Sequence, residues 1–289
     1  MLSYRHAFHA GNHADILKHL AWLGVISHLK RKTKPFVVFD THAGAGQYAL
    51  NSDQAQLNRE YDSGITRLEN VQPASALLSD YMSVVTPMIE AGIYPGSPGL
   101  TVRTMRGQDA AHMMELHPSE FPALQTNLAP FTTAQGQSGS IHLHHRDGLE
   151  GLVAMTPPTP NRGAILIDPP YEVKNEYKQV ADTLKAVFQR WQNAQVVVWY
   201  PLLSERAKEK AELCLNMVHE ISALGKNCFK AEFTITENTH DAGMYGSGVC
   251  IINPAWQLDE HLTQSMKEVC KAMGPEAGFS LEWLKQEEA

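Results

Sequence analysis

Short apolar runs alternate along the chain with longer segments in which apolar residues recur every three or four positions. The strand-like runs cover 36–40, 110–115, 141–145, 164–167, 195–200, 229–236 and 248–252. Helical spacing is found at 12–29, 180–191, 205–219 and 262–273. The fifth strand is expected to stop at Pro201, because proline donates no hydrogen bond to a ladder. Seven strands that alternate with helices predict a doubly wound α/β sheet.

Residues 50–95 interrupt this alternation. Their apolar spacing is helical, it is broken at Pro73 and Pro87, and no strand-like run appears between the glycine-rich loop near residue 44 and residue 101. We therefore expect a small helical subdomain, 50–95, inserted into a Rossmann-like domain formed by residues 1–49 and 96–289.

The stretch Ile-Leu-Ile-Asp-Pro-Pro-Tyr at 165–171 marks the end of one predicted strand. Its three branched apolar residues are typical of a strand that is covered on both faces of an α/β sheet. The two prolines end the strand, because neither has an N–H and each fixes φ. Asp168 therefore lies at the carboxyl end of the strand, where open α/β sheets bind their ligands.

Asp168 and the carbonyl of Pro169 suit methyl transfer to an amino group on a base. The lone pair of such an amine is delocalised into the ring, which makes the nitrogen a poor nucleophile. Two acceptors for its N–H bonds would draw the nitrogen towards tetrahedral geometry and stabilise the positive charge that develops on it. Tyr171 is expected to stack on the face of the base, a contact worth roughly 1–3 kcal/mol.

Glycines and acids at other strand ends predict a nucleotide-like cofactor. Residues 41–46, Thr-His-Ala-Gly-Ala-Gly, follow the first strand, and glycines there let the backbone approach a ligand closely. Glu115 is placed to accept hydrogen bonds from ribose hydroxyls, and Asp147 from an adenine amino group beside the backbone of Gly148. Taken singly, each acid is also explained as a loop residue or a helix cap. Residues 44–49 fit Gly-x-Gly-x-x-Ala, but the polar segment that follows disfavours an NAD-dependent oxidoreductase.

Composition limits the compartment and the metal chemistry. No apolar run approaches the roughly 18 residues of a membrane span, and the amino terminus has no apolar signal core. The absence of such a run leads us to expect no membrane contact. The four cysteines are widely spaced, which favours reduced thiols in the cytoplasm. His9 and His13 are four residues apart, but no cysteine or carboxylate completes a site in the sequence, so we expect no metal.

The charge distribution favours a polyanionic partner more than the net charge does. The chain carries a net charge of −7, but residues 1–34 hold six basic side chains against the single acid Asp15. A basic, aromatic-bearing arm beside an acidic body could place phosphates on one face. For Lys30–Lys34 alone, a solvated helix end explains the charges equally well.

Several blocks resemble the bacterial 23S ribosomal RNA adenine-N6 methyltransferase family that modifies adenine 2030. They run in the family's order over essentially the whole chain, at 1–6, 8–15, 17–19, 40–46, 94–98, 115–119 and 166–172. The amino-terminal block is specific to this family, while Asp-Pro-Pro-Tyr is shared by many amino methyltransferases. The resemblance implies a class I methyltransferase fold with an inserted helical subdomain, S-adenosylmethionine as donor, 23S ribosomal RNA as substrate, and a monomer.

The resemblance also implies roles for individual residues. Those expected to line the donor pocket are His19, His42, Ser97, Glu115, Asp147, Gly148 and Asp168. Asp168 is in addition the expected catalytic residue, which would take the proton of the amine. Those expected to contact the substrate are Tyr4, His6, Lys18 and Tyr171. Gln47 departs from the pattern, which leads us to expect an arginine after the glycine loop.

Two other functions fit the same residues. The Asp-Pro-Pro-Tyr site could methylate an adenine of DNA instead of RNA. The chain could also be an RNA-binding protein whose donor pocket has degenerated, although the glycines and strand-end acids of an intact pocket are all present in the sequence.

Overall fold

The computed structural model describes residues 4–132 and 139–287 of the chain, so the first three residues of the amino-terminal family block lie outside the described residues. The strands are β1 (Val37–Asp40), β2 (Gln47–Ala49), β3 (Ile93–Pro95), β4 (Ala110–Glu115), β5 (Ser140–His145), β6 (Gly163–Ile167), β7 (Gln195–Leu203), β8 (Cys228–Thr234), β9 (Met244–Ile252) and β10 (Gly278–Lys285). The α-helices are α1 (His13–Lys30), α2 (Asp53–Asn58), α3 (Glu60–Ser63), α4 (Ala76–Glu90), α5 (Ser97–Thr104), α6 (Glu120–Thr132), α7 (Gly148–Met155), α8 (Asn175–Phe188), α9 (Lys208–Ser222) and α10 (Leu258–Met273).

The large sheet has the strand order β10-β8-β9-β7-β6-β1-β4-β5. The five strands from β7 to β5 are parallel, and β9, β8 and β10 continue the sheet in antiparallel pairing. From β1 the chain extends the sheet through β4 and β5 on one side, and from β6 through β7 on the other. The topological switch point, where such sheets bind ligands, therefore lies between β1 and β6. The predicted doubly wound α/β class is confirmed.

Within residues 4–132 and 139–287 the large sheet has eight strands, so the prediction of seven is wrong by one edge strand. β10 pairs with β8, and its apolar residues Phe279, Leu281 and Trp283 alternate with polar ones. Trp283 packs edge-on against Phe229 at 5.2 Å between ring centroids. This alternation is the usual signal of a half-buried strand, and the sequence prediction missed it close to the carboxyl end.

β7 also runs further than its sequence predicts. It continues through Pro201 to Leu203 by pairing with β9, where Pro201 lies opposite Ser247. Pairing with β6 ends at Val198, so the last part of β7 has a neighbouring strand on one side only. A proline is tolerated in such a half-edge position, because its missing N–H need not face a partner strand.

Residues 50–95 form α2, α3 and α4 with a short 3₁₀ turn at Ile65–Leu68, as the helical spacing predicts. Two differences are the unbroken run of α4 through Pro87 and the antiparallel pair β2–β3, which closes the segment. The buried side chains Leu77, Leu78 and Tyr81 of α4 share one core with the apolar residues of α1. The division of the chain into a main domain and an inserted subdomain stays a prediction.

α1 is the central helix, and nearly all of its side chains are buried. It contacts β9 and β7 of the sheet as well as α4, α5 and α10. The Asn12 side chain caps its amino end by accepting the N–H of Asp15 at 3.0 Å. Because the helix is enclosed, its polar residues Asp15, Lys18 and His19 lie inside the protein and must find partners there.

Two negative findings concern the described residues. Cys214, Cys228, Cys250 and Cys270 are all free thiols. Within residues 4–132 and 139–287, none of the helices combines the length and the apolar character that a membrane crossing needs.

The close approach of β1 and β6 is open to a direct test. A methyl group on the Cα of Gly163 would lie 1.7 Å from the carbonyl oxygen of Val37. We expect Gly163→Ala to lower the free energy of unfolding by about 1–3 kcal/mol, measured by urea denaturation, because the two strands must separate. Ser140→Ala on the exposed edge of β5 serves as the control and should stay within about 0.5 kcal/mol of wild type. Equal stability of Gly163→Ala and wild type would contradict this packing.

Candidate active site

A cavity of about 210 Å³ opens at the switch point, at the carboxyl ends of the parallel strands. It extends from the glycine turn after β1 to Asp168 after β6. The residues expected from the sequence that line it are Tyr4, His6, Lys18, His42, Ser97, Glu115, Asp147, Gly148 and Asp168. Four strand ends and the amino-terminal arm (residues 4–12) therefore meet at one site.

Glu115 joins the glycine turn to the loop after β4. Its Oε2 accepts the N–H of Gly44 at 2.7 Å, and its Oε1 accepts the N–H of His117 at 2.6 Å. Burial raises the pKa of this carboxyl above its usual value, and the two backbone hydrogen bonds oppose the rise. Each carboxylate oxygen has a second lone pair, so Glu115 can still accept hydrogen bonds from a ligand.

Two glycines allow segments of the cavity wall to pack more closely than a side chain would permit. Gly44 has φ +55°, and a Cβ there would lie 2.2 Å from the Tyr48 hydroxyl oxygen. Gly148 lies so close to the backbone that follows β1 that a Cβ there would be 1.8 Å from the Thr41 carbonyl oxygen. Gln47 is not part of the cavity wall, and its Oε1 accepts a hydrogen bond from Arg103 at 3.3 Å.

Asp147 combines the two roles that the sequence left open. Its Oδ1 accepts the N–H of Glu150 at 2.9 Å, which caps the amino end of α7. Its side chain is also exposed on the cavity wall. A capping carboxylate keeps free lone pairs, so the cap does not prevent contact with a ligand.

Burial shifts the pKa values of Asp40 and His42, which lie at the carboxyl end of β1. Ser97 Oγ donates to Asp40 Oδ2 at 2.6 Å, and burial raises the pKa of Asp40 to about 6. Burial lowers the pKa of His42 to about 4. The imidazole of His42 is therefore neutral at pH 7 and offers the cavity no positive charge.

Asp168 is held by a buried lysine. Lys18 Nζ lies 2.5 Å from Asp168 Oδ2 and 2.9 Å from Asp15 Oδ1, and the lysine side chain is only 5% exposed. Burial acts to lower the pKa of Lys18, but the two carboxylates outweigh it and hold that pKa well above its usual value. Burial raises the pKa of Asp168, and the positive charge of Lys18 opposes this rise.

Asp15 connects this ion pair to the amino-terminal arm. Its Oδ2 accepts the Gly11 N–H and the Nε2–H of His6, each at 2.9 Å. The Tyr4 hydroxyl in turn donates to His6 Nδ1 at 2.9 Å. Burial would raise the pKa of Asp15, but His6 and Lys18 hold it well below its usual value.

The sequence prediction did not single out Asp15. The available signal was an acid three residues before a lysine on a helix whose every face is apolar. Such a pair lies on one side of the helix and is expected to be buried together.

His19 is placed differently from its prediction. It is fully buried behind the cavity, where its Nδ1 is 3.0 Å from the Tyr94 hydroxyl and its ring stacks on Tyr94. Burial lowers the pKa of this imidazole to about 3. His19 does not line the cavity, because this side of α1 faces β3 and α4, and its role in binding the donor stays a prediction.

Tyr171 does not offer a free ring face to a base. Its backbone has φ +50°, its ring stacks on Tyr177 at 4.4 Å, and it is 2% exposed. Its hydroxyl donates to the Trp199 carbonyl oxygen at 2.9 Å. The left-handed backbone turns the side chain towards the core, and the predicted stacking role of Tyr171 stays a prediction.

A second cavity of about 370 Å³ adjoins the first. Both are lined by Lys18, Asp168 and Pro169, so Asp168 lies where they meet. Trp199 and Met244 contribute to the apolar wall of the second cavity, and Arg206 and Lys210 contribute positive charge. Trp199 was missed from the sequence, because it lies in a continuous apolar run that reads as strand core.

The described residues contain no group of three or more histidine, cysteine or acidic side chains arranged to hold a metal ion. His9 is engaged with Glu60, whose Oε1 lies 2.8 Å from His9 Nδ1. His13 is buried, and burial lowers its pKa to about 4.

Comparison with known proteins agrees with the arrangement of this site. A family model described as ribosomal RNA large subunit methyltransferase D, RlmJ, matches residues 33–285. Ribosomal RNA large subunit methyltransferase J of Escherichia coli is 37% identical over 266 residues, which are 91% of this chain and 90% of that protein. The protein of the same name from Haemophilus influenzae is 31% identical over 99% of this chain and 100% of its own.

A solved structure shows the same fold. The crystal structure of a Legionella pneumophila protein superposes with a TM-score of 0.81 at 28% identity, over 95% of this chain and 98% of that one. The resemblance seen in the sequence is thus confirmed, and the chain belongs to the RlmJ family of ribosomal RNA large subunit methyltransferases.

Proposed function

We propose that this protein transfers a methyl group from S-adenosylmethionine to the N6 amino group of an adenine in 23S ribosomal RNA. The observation that carries the proposal is the position of Asp168 at the junction of two cavities. Membership of the family supports the reaction class and a ribosomal RNA substrate. The identity of the target, adenine 2030, rests on the sequence resemblance alone.

The first cavity fits the methyl donor. Glu115 and Asp147 provide acceptors for hydroxyl and amino hydrogens, and the backbone at Gly44 and Gly148 provides close approach. Ser97 and His42 complete the wall. When bound, S-adenosylmethionine supplies an electrophilic methyl group, while the protein supplies binding and orientation.

The second cavity fits the acceptor base. The adenine must leave its stack to reach Asp168, at a cost of a few kcal/mol that is smaller in an unpaired loop. Trp199 provides the aromatic wall that the sequence analysis had assigned to Tyr171. Tyr171 supports this wall from behind, because its hydroxyl holds the Trp199 carbonyl.

Asp168 and the Pro169 carbonyl orient the amine. Lys18 occupies Oδ2 of Asp168, and no hydrogen bond to Oδ1 is formed within the described part of the chain. Oδ1 and the Pro169 carbonyl would accept the two N–H bonds and direct the nitrogen lone pair at the methyl carbon. The proton leaves to Asp168 or to solvent after methylation, and orientation contributes more than base catalysis because the methylated amine is strongly acidic.

The proposed substrate also bears on where and how the protein acts. Ribosomal RNA is found in the cytoplasm of bacteria, so we propose a cytoplasmic enzyme. We further propose that it acts as a monomer, because the strand ends and arm of a single chain supply both cavities.

The substrate class is tested with labelled S-adenosylmethionine and paired RNA and DNA oligonucleotides of the same sequence. Transfer to the RNA is expected, and transfer to the DNA alone would replace the proposal with a DNA methyltransferase. Calorimetry with the donor separates an enzyme from a protein that only binds RNA. An absence of donor binding would contradict the proposal.

Removal of the Asp168 carboxylate should abolish turnover. We expect Asp168→Ala and Asp168→Asn to lower the rate of methyl transfer by at least about 10²-fold, because the developing charge on nitrogen loses its acceptor. The rate is measured with labelled donor and an RNA hairpin that contains the target. Asp182→Asn, an exposed carboxylate on α8, is the control and should keep the wild-type rate. Near-normal activity of both Asp168 variants would exclude this role.

Removal of the Lys18 charge should shift the pH profile of the reaction. Asp168 must be ionised to accept both the amine hydrogen and the lysine, so kcat/KM rises with pH as this carboxyl loses its proton. Burial raises the pKa of Asp168 and Lys18 lowers it. Lys18→Met should therefore move the acid limb of the profile to higher pH by about one unit or more. Lys178→Met on the exposed face of α8 is the control, and an unmoved acid limb in Lys18→Met would refute the coupling.

Glu115 should govern affinity for the donor. In Glu115→Gln only the amide oxygen can accept a hydrogen bond, so the N–H of either Gly44 or His117 loses its acceptor and the link between the glycine turn and the loop after β4 weakens. We expect the dissociation constant of S-adenosylmethionine to rise about tenfold or more by calorimetry. Glu212→Gln, exposed on α9, should bind like wild type. Unchanged affinity in Glu115→Gln would remove this residue from the donor site.

A further inference from the structure

A cluster of exposed cations lies at the end of the molecule opposite Asp168. Residues 30–34 connect the carboxyl end of α1 to β1, at the edge where the parallel strands begin. We refer to this segment as the basic turn. All five of its residues are exposed, and four of them are basic: Lys30, Arg31, Lys32 and Lys34.

The backbone of the basic turn is held by two partly exposed arginines, Arg106 and Arg162. Arg106 donates to the carbonyls of Lys30 at 3.2 Å, Lys32 at 2.8 Å and Lys34 at 3.2 Å. Arg162 also donates to Lys34 O, at 2.9 Å. These carbonyls accept hydrogen bonds from arginines outside the turn, so the shape of the turn does not depend on its own side chains.

Acids do not compensate the charge of the turn. Among the described residues, none of the four basic side chains forms an ion pair, and of the two supporting arginines only Arg106 has a carboxylate partner, Asp109. The effect reaches a neighbouring group, because the pKa of His28 is lowered by burial and then by Arg31 and Lys32. Like charges held in one place repel each other, so the arrangement favours an anionic partner.

An exposed aromatic side chain lies beside the turn. Trp256 is 73% exposed, which is unusual for a tryptophan, and it lines a small surface cavity together with Arg31 and His261. Asp80 is the acid on the same wall. Cations that contact phosphates and an aromatic ring on which a base stacks are the two components of single-stranded nucleic-acid binding.

We propose that the basic turn and Trp256 form a second RNA-binding surface, which holds the phosphate backbone of the substrate away from the target adenine. This inference rests on the proposed function. Lys18 and Lys30 lie twelve residues apart on α1, or about 18 Å along the helix axis. A ribosomal RNA fragment that extends about 20 Å or more beyond the flipped base is long enough to contact both ends of the helix.

The surface also explains how a protein with a negative net charge can bind RNA. A chain of net charge −7 repels RNA as a whole, so binding needs local positive regions. Phosphate contacts carry no sequence information, and they fix the position and register of the substrate. The second surface would therefore select long or folded RNA over a short hairpin, while sequence recognition stays at the two cavities.

The test compares two fourfold variants with the same change in net charge. The first neutralises the turn: Lys30→Gln, Arg31→Gln, Lys32→Gln and Lys34→Gln. The control neutralises exposed lysines on α8 and α10: Lys178→Gln, Lys185→Gln, Lys267→Gln and Lys271→Gln. Thermal unfolding verifies that both fold, which is expected because Arg106 and Arg162 bind main-chain carbonyls that remain.

Each variant is tested with a short hairpin that contains the target adenine and with a longer fragment of 23S ribosomal RNA. We expect the turn variant to bind the long fragment about tenfold or more weakly at physiological salt, with the slope of log K against log salt reduced by about 2–4. Its methylation of the short hairpin should stay within about twofold of wild type. Trp256→Ala should weaken binding of the long fragment about fivefold.

The outcomes separate this inference from the proposed function. Equal binding of the long fragment by the turn variant and the control would overturn the second surface and leave the active site untouched. Loss of binding to vesicles that contain phosphatidylserine, without loss of RNA binding, would overturn it in favour of a membrane. If the wild-type enzyme methylates neither RNA, the proposed function fails, and the comparison of RNA affinities still decides the role of the turn.

Discussion

The buried contact between Lys18 and the carboxylates of Asp15 and Asp168 is the interaction on which the rest of the site depends. It joins the central helix to a strand end 150 residues further along the chain. Charges removed from water are costly unless each one is paired and hydrogen-bonded. Here Lys18 pairs with two acids, and Asp15 also accepts hydrogen bonds from His6 and from the Gly11 N–H. Helix, strand and amino-terminal arm therefore have one relative arrangement that satisfies all of these groups.

The same contact bears on the role that we propose for Asp168. A buried carboxyl without a partner would be protonated more readily and would act as a donor. Lys18 opposes that tendency and favours the ionised form, which is an acceptor only. A carboxylate stabilised in this way is a modest base but a good electrostatic partner for a nitrogen that becomes positive. The environment therefore suits orientation and charge stabilisation more than strong proton abstraction.

The sequence predicted features that depend on local pattern, and it failed where tertiary packing decides. Strand ends could be located from apolar runs and prolines, and the rule that parallel strands end at one edge brought Glu115, Asp147 and Asp168 together. His19 could not be placed, because nearly all of α1 is buried and its apolar spacing does not show which of its polar side chains faces the cavity. β7 continues through Pro201 because its neighbour β6 ends first. This depends on how the strands pair in the sheet and cannot be deduced from the sequence of β7 alone.

Tyr171 shows how a motif residue can act through the backbone. A non-glycine residue with positive φ is strained by roughly 1–2 kcal/mol, so its conformation needs support from outside the turn. The tyrosine hydroxyl provides one attachment to β7, and Lys210 of α9 donates to the carbonyl of Tyr171 at 2.8 Å and to that of Glu172 at 3.0 Å. These attachments fix the direction in which the preceding residues leave the strand. The buried ring therefore helps to hold Asp168 and the Pro169 carbonyl at the junction of the two cavities.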